Sequence, residues 1–159
     1  MDRILKILFP ALTILCMIFI LTNSMQDVKT AEKKQGVVIK VVENAIESVT
    51  KKEVHLSKSK SAVISKCVHV LEFSLFSVFL TLSLFFLQKN RKSAYQSVLL
   101  CGTFLGITDE HFQLLYEGRG SKLTDVIVDI AGVMIGYMIA KLILKLIWRK
   151  KDERDRSVL

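Results

Sequence analysis

Proline and tryptophan each occur once in these 159 residues, and cysteine three times. The lone Pro10 falls inside the first apolar run, so every later run is free of the residue that most strongly breaks a helix. Cys16, Cys67 and Cys101 are scattered, with no pair at the spacing of a zinc site or a redox Cys-x-x-Cys. That excludes a disulfide framework and leaves the thiols as small apolar residues. Acid is also scarce: 15 Asp and Glu stand against 23 Lys and Arg, a net charge of +8 with a pI near 9.5. In a soluble chain such an excess would suggest nucleic acid. No basic helix interleaved with stacking aromatics and no known binding module is present, so nucleic acid is excluded as a partner.

What the chain has in abundance is aliphatic side chain. It is 51% hydrophobic with a mean hydropathy of +0.41, and the apolar residues are gathered into long runs separated by dense charge. This is how membrane spans and their connectors are written, and the flanking Lys and Arg meet anionic headgroups. The expected fold class is all-α, an integral membrane bundle of about four transmembrane helices, with the lipid bilayer as its first partner. Residues 1–26 form the first transmembrane helix, 27–65 an amphipathic extracytoplasmic connector, 66–148 a three-helix membrane core, and 149–159 a basic cytoplasmic tail.

The first run, Ile4 to about Thr22, is just long enough to span. Arg3 and Lys6 with Thr22 and Ser24 also fit a signal peptide, but the run is long for one and is read as a retained span. In the connector, Val38, Val41, Val42, Ala45, Ile46 and Val49 recur at helical spacing. This is a helix lying on the bilayer surface or packed on the outer face of its own protein. The second span runs from Cys67 to Leu87, the basic turn 88–93 follows, the third span covers Ala94 to about Thr108, and the fourth Leu123 to Trp148. Gly102 and Gly106 on the third, and Gly132 and Gly136 on the fourth, let backbones approach closely, and these two helices are expected to pack face to face. Both termini are placed in the cytoplasm, because basic residues there sit tight against the spans.

The chemistry-bearing residues gather at the other ends of the spans. Lys66, His69 and Glu72 lie three apart on one helical face, Asp109, Glu110 and Gln113 close the third span, Arg119 stands in the turn, and Asp125 and Asp129 lie four apart on the fourth. Each carboxylate costs about 2.5–3.5 kcal/mol at mid-bilayer unless it is paired or hydrated, so a shared polar cluster on the outer side is expected.

These blocks carry a resemblance. Lys66-Cys67-Val68-His69-Val70-Leu71-Glu72-Phe73, Thr108-Asp109-Glu110-His111-Phe112-Gln113, Gly118-Arg119, and Asp125 through Asp129 to Gly132 and Gly136 follow in order and spacing the pattern of the VanZ family. That pattern is a Lys-x-x-His-x-x-Glu-Tyr block, an Asp-Glu-x-x-Gln block, a Pro-Gly-Arg turn, and an Asp followed four residues later by Asn and spaced glycines. The match covers Lys66 to about Ala140, and Asn23-Ser24-Met25-Gln26 resembles the family's Ser-rich exit from the first span. Phe73 stands where Tyr is usual, Glu117 where Pro is, and Asp129 where Asn is.

The resemblance implies a multi-pass protein of the bacterial cell membrane, of the kind whose namesake lowers susceptibility to the glycopeptide teicoplanin. Two mechanisms stay open. In one, the cluster binds a lipid, a lipid-linked cell-wall intermediate or a lipoglycopeptide, Arg119 and Lys66 meeting an anionic group while Asp109, Glu110 and Asp125 hold those cations. In the other, it is an intramembrane active site, with His69 or Glu72 as base and Asp109 or Glu110 as acid or metal ligand. No Ser or Cys stands in an evident nucleophile elbow or dyad, and residue types alone name neither a cofactor nor a metal.

Overall fold

The computed structural model describes residues 2–51, 57–87, 94–116, 120 and 122–156. Among them are five helices and no strand: α1 (Asp2–Ser24), α2 (Val28–Thr50), α3 (Lys58–Leu87), α4 (Ala94–Leu114) and α5 (Leu123–Arg156). Arg119 and the basic turn 88–93 lie outside the described residues.

α3 is the central helix, with α5 and α1 packed along it, and α4 closes the bundle against α5 with lighter contacts to α3 and α1. Among the described residues, three helices are long and apolar enough to cross a membrane, over Arg3–Ser24, Lys60–Leu87 and Leu123–Ile147. The expected fourth, α4, is not among them. Its last turns carry Thr108, Asp109, Glu110, His111 and Gln113, which lower its hydropathy. Of these, Asp109, Glu110 and Gln113 are buried inside the bundle, while Leu100, Phe104 and Ile107 point outward. α5, at 34 residues, is about 51 Å long against a hydrocarbon layer of about 30 Å, so its charged C-terminal turns continue beyond the apolar part.

Between helices in lipid there is little hydrophobic driving force, so close packing and hydrogen bonds hold them. Ser74 donates to the Gly132 carbonyl at 2.9 Å and Ser77 to the Val133 carbonyl at 2.7 Å, stitching α3 to α5. The Thr13 and Ser83 hydroxyl oxygens meet at 3.0 Å between α1 and α3. The apolar core between these contacts is built on Ile20, Phe73, Phe76, Val98, Leu105 and Val133.

The glycines divide their work differently from the face-to-face expectation. A Cβ at Gly102 would stand 2.5 Å from Val133 Cγ2 and one at Gly106 3.3 Å from Asp129 Cβ, so the α4 glycines do face α5. Gly132 and Gly136, however, face α3: a Cβ at Gly132 would lie 2.7 Å from the Val70 carbonyl oxygen, and one at Gly136 would overlap the Ser74 carbonyl. The small face of α5 is thus spent on α3, and α4 approaches a neighbouring face that carries Val133 and Asp129.

Two boundaries also move. α3 starts at Lys58, ahead of the span expected from Cys67, because nothing in Ser57–Lys66 breaks a helix. α4 runs past Thr108, so its acidic pair is helical and held in place by the ladder. In the connector, Asp27 caps α2 by accepting a hydrogen bond from the Thr30 N–H at 3.3 Å, and the Thr30 side chain, helped by this backbone bond, holds its carboxyl below the ordinary carboxylate range. α2 buries none of its residues, and Val49 is 83% exposed. Val42 and Ile46 of the stripe are half-buried, while Val38, Val41 and Val49 are exposed.

Candidate functional site

The polar residues meet where the C-terminal ends of α1 and α4 lie beside the N-terminal halves of α3 and α5. Asp109 is 0% exposed and Asp129 1%. Asp109 accepts from the Ser24 hydroxyl and, at 2.9 Å, from Gln113 Nε2. The same Gln113 nitrogen lies 3.3 Å from Glu110 Oε1, and the Lys122 backbone N–H donates to Glu110 Oε2 at 3.3 Å, tying the end of α4 to the start of α5.

Asp129 is different. Both of its carboxylate oxygens are buried and neither has a hydrogen-bond partner. His69 Nδ1 lies 3.6 Å from Oδ1, beyond hydrogen-bond range but within the distance at which a protonated imidazole pairs with a carboxylate. Gly106 makes the room for this carboxylate, since a Cβ there would stand 3.4 Å from Oδ2. One ligand-type atom from each of His69, Asp109 and Asp129 lies within 4.8 Å of the others, so three helices aim metal-ligating groups at one point.

Of the described residues singled out in the sequence, Glu72 lines one cleft, Lys66, Glu110, Gln113, Asp125 and Asp129 line another, and His69 lines both. His69, with its side chain 32% exposed, stands between two clefts. One, of about 430 Å³, lies among the end of α1, α2 and α3 and is lined by Asn23, Lys34, His69 and Glu72 together with Phe19, Val38, Ile64 and Val68. The other, of about 260 Å³, lies between α3, α4 and α5 and is lined by Lys66, His69, Glu110, Gln113, Asp125 and Asp129. Glu72 faces the first, where Asn23 Nδ2 donates to its Oε1 at 3.3 Å and Lys34 Nζ donates to Asn23 Oδ1 at 3.1 Å. Lys66 and Asp125 pair at 2.9 Å on the half-exposed rim of the second. A pair as open as this contributes about 0–1 kcal/mol in water, so it orients the rim more than it stabilises the bundle.

Sequence reasoning assigned no role to Ser24, Asn23 and Lys34. The first two were visible as the polar exit of the first span, but a serine at the end of an apolar run looks the same whether it meets water or a buried carboxylate.

This arrangement, long apolar helices whose buried acids and histidine are gathered toward one end, defines an α-helical membrane protein with an interior polar site. The family model described as VanZ/LLP1 matches residues 9–145, from α1 into the last turns of α5, and the chain belongs to that family. Among curated proteins and solved structures nothing matches.

Proposed function

We propose that the chain is a bacterial cell-envelope protein that crosses the membrane four times with both termini cytoplasmic. At the outer end of its bundle it binds a lipid, a lipid-linked cell-wall precursor or a lipoglycopeptide, and it thereby lowers susceptibility to teicoplanin-type glycopeptides. The supporting observation is the division of the larger cleft. Phe19, Val38, Ile64 and Val68 offer an apolar wall for an acyl chain, and Asn23, Lys34 and Glu72 a polar wall for the group it is attached to. α2, with its partly exposed apolar stripe, suits the bilayer surface beside that opening. A fourth crossing by α4 fits its outward face, where Leu100 and Phe104 are 72% and 70% exposed while its acids point inward.

Filling the apolar wall without touching the cluster tests this. Ile64→Trp should remove protection from teicoplanin in an expressing host while membrane abundance stays normal; unchanged protection would exclude the cleft as the site. The convergence of His69, Asp109 and Asp129 favours a second reading, an intramembrane enzyme acting on a lipid-linked envelope substrate.

A further inference from the structure

Two carboxylates and an imidazole from three different helices are brought within 4.8 Å of one another, and the buried oxygens of one carboxylate, Asp129, accept no hydrogen bond, the His69 imidazole standing 3.6 Å away. A buried ionisable group is ordinarily satisfied by donors or by a cation, so Asp129 marks an unfinished coordination set. We propose that His69, Asp109 and Asp129 bind one divalent first-row transition-metal ion that ties α3, α4 and α5 together.

The donor set selects the class of ion. Imidazole nitrogen suits zinc, iron and nickel more than magnesium or calcium, and two carboxylates bring the charge of −2 that a divalent ion neutralises. The spacing is right for a small ion. In a tetrahedral site with bonds of about 2.1 Å the ligand atoms stand about 3.4 Å apart. His69 Nδ1 and Asp129 Oδ1 already stand 3.6 Å apart, and the whole set lies within 4.8 Å. An oxygen-only cage of six to eight ligands, as calcium prefers, is not assembled by these three side chains.

The surroundings fit a held ion. Ser24 and Gln113 donate to Asp109 and fix its orientation, as partners of metal-bound carboxylates do. The smaller cleft opens on Asp129 and His69 and gives a path for the ion and for water to complete its shell. Asp129 also stands where the family pattern has Asn, so this chain supplies a second anionic ligand beside Asp109. The site does not rest on what the larger cleft takes.

The test uses the full chain, without a histidine tag, in detergent micelles after chelator treatment and dialysis. Cys67 and Cys101 are replaced by serine so that exposed thiols do not compete. Titration with Zn²⁺ and with Ni²⁺, followed by calorimetry and elemental analysis, should give one ion per chain and a rise in melting temperature, while Mg²⁺ and Ca²⁺ give neither. Asp129→Asn keeps the shape of the side chain and His69→Gln keeps a polar group of similar reach. Each should weaken binding about 100-fold or more, beyond what losing an outer partner costs, and remove the thermal shift while helicity is retained. His111→Ala, at an exposed position, should bind like the parent. Absence of stoichiometric binding by the folded parent, or equal binding by Asp129→Asn, would overturn the site and leave the His69 imidazole as the neighbour of a metal-free Asp129.

Discussion

Ser24, in the last turn of α1, donates its hydroxyl proton to Asp109 near the end of α4, across 85 positions of sequence. The bond joins the first helix to the buried acid pair and orients a carboxylate that is 0% exposed. Hydrogen bonds between membrane helices are worth about 0.6–2 kcal/mol. Ser24→Ala should therefore lower the unfolding free energy of the bundle by about 1 kcal/mol, read by unfolding in mixed micelles of rising SDS fraction, with helicity unchanged. An unaltered midpoint would mean that this bond adds nothing to the hold of α1 on the bundle.

The glycines should rank by what a methyl group meets. Gly136→Ala would drive a Cβ into the Ser74 backbone, which cannot turn aside, and Gly132→Ala into the Val70 backbone. Gly102→Ala meets only the Val133 side chain, which has some freedom to adjust. Overpacking of this kind costs about 1–3 kcal/mol, so in the same unfolding assay Gly136→Ala should be the worst, Gly132→Ala next and Gly102→Ala mildest. Gly36→Ala, with nothing within 4 Å, should be neutral or slightly stabilising, as alanine is the better helix former. A reversed order would place α5 wrongly against α3.

How far the sequence foretold this depends on what each signal encodes. Apolar runs report burial or lipid contact, so α1, α3 and α5 were legible, and the blocks around His69, Asp109 and Asp129 named the cluster residues. A small residue at every fourth position reports a close approach but not the partner, and Gly132 and Gly136 turned out to face α3 instead of α4. His69 and Glu72 lie three apart, which suggests one face, yet three steps of about 100° leave about 60° between their azimuths. Inside a bundle, that angle is enough to turn Glu72 toward α1 while His69 stands between the clefts. α3 starts ahead of the expected span because hydropathy marks where lipid begins, whereas a helix ends only where its backbone is broken.

The orientation has a direct check. With both termini inside, the start of α3 faces outward and the residues after α5 face the cytoplasm. In a background lacking the native cysteines, Ser59→Cys should react with an impermeant maleimide on intact cells, and Ser157→Cys only after permeabilisation. The opposite pattern would place the polar cluster on the inner side of the membrane.

The last prediction separates binding from catalysis at the larger cleft. Glu72 accepts a hydrogen bond from Asn23 at 3.3 Å and is not among the groups that converge on Asp129, so changing it leaves the metal ligands in place. Glu72→Gln keeps the acceptor oxygen that Asn23 uses and removes only the capacity to take a proton. A binding wall tolerates that swap, and a measurable fraction of the protection from teicoplanin should survive it. A general base does not tolerate it, because an amide cannot accept the proton. Arg119→Ala should behave in the opposite way: on the binding reading it removes the cation that meets an anionic headgroup, and protection should be abolished. Both variants are compared in one expressing host at equal membrane abundance. Complete loss with Glu72→Gln beside near-normal protection with Arg119→Ala would overturn the binding reading and make the cluster an intramembrane active site.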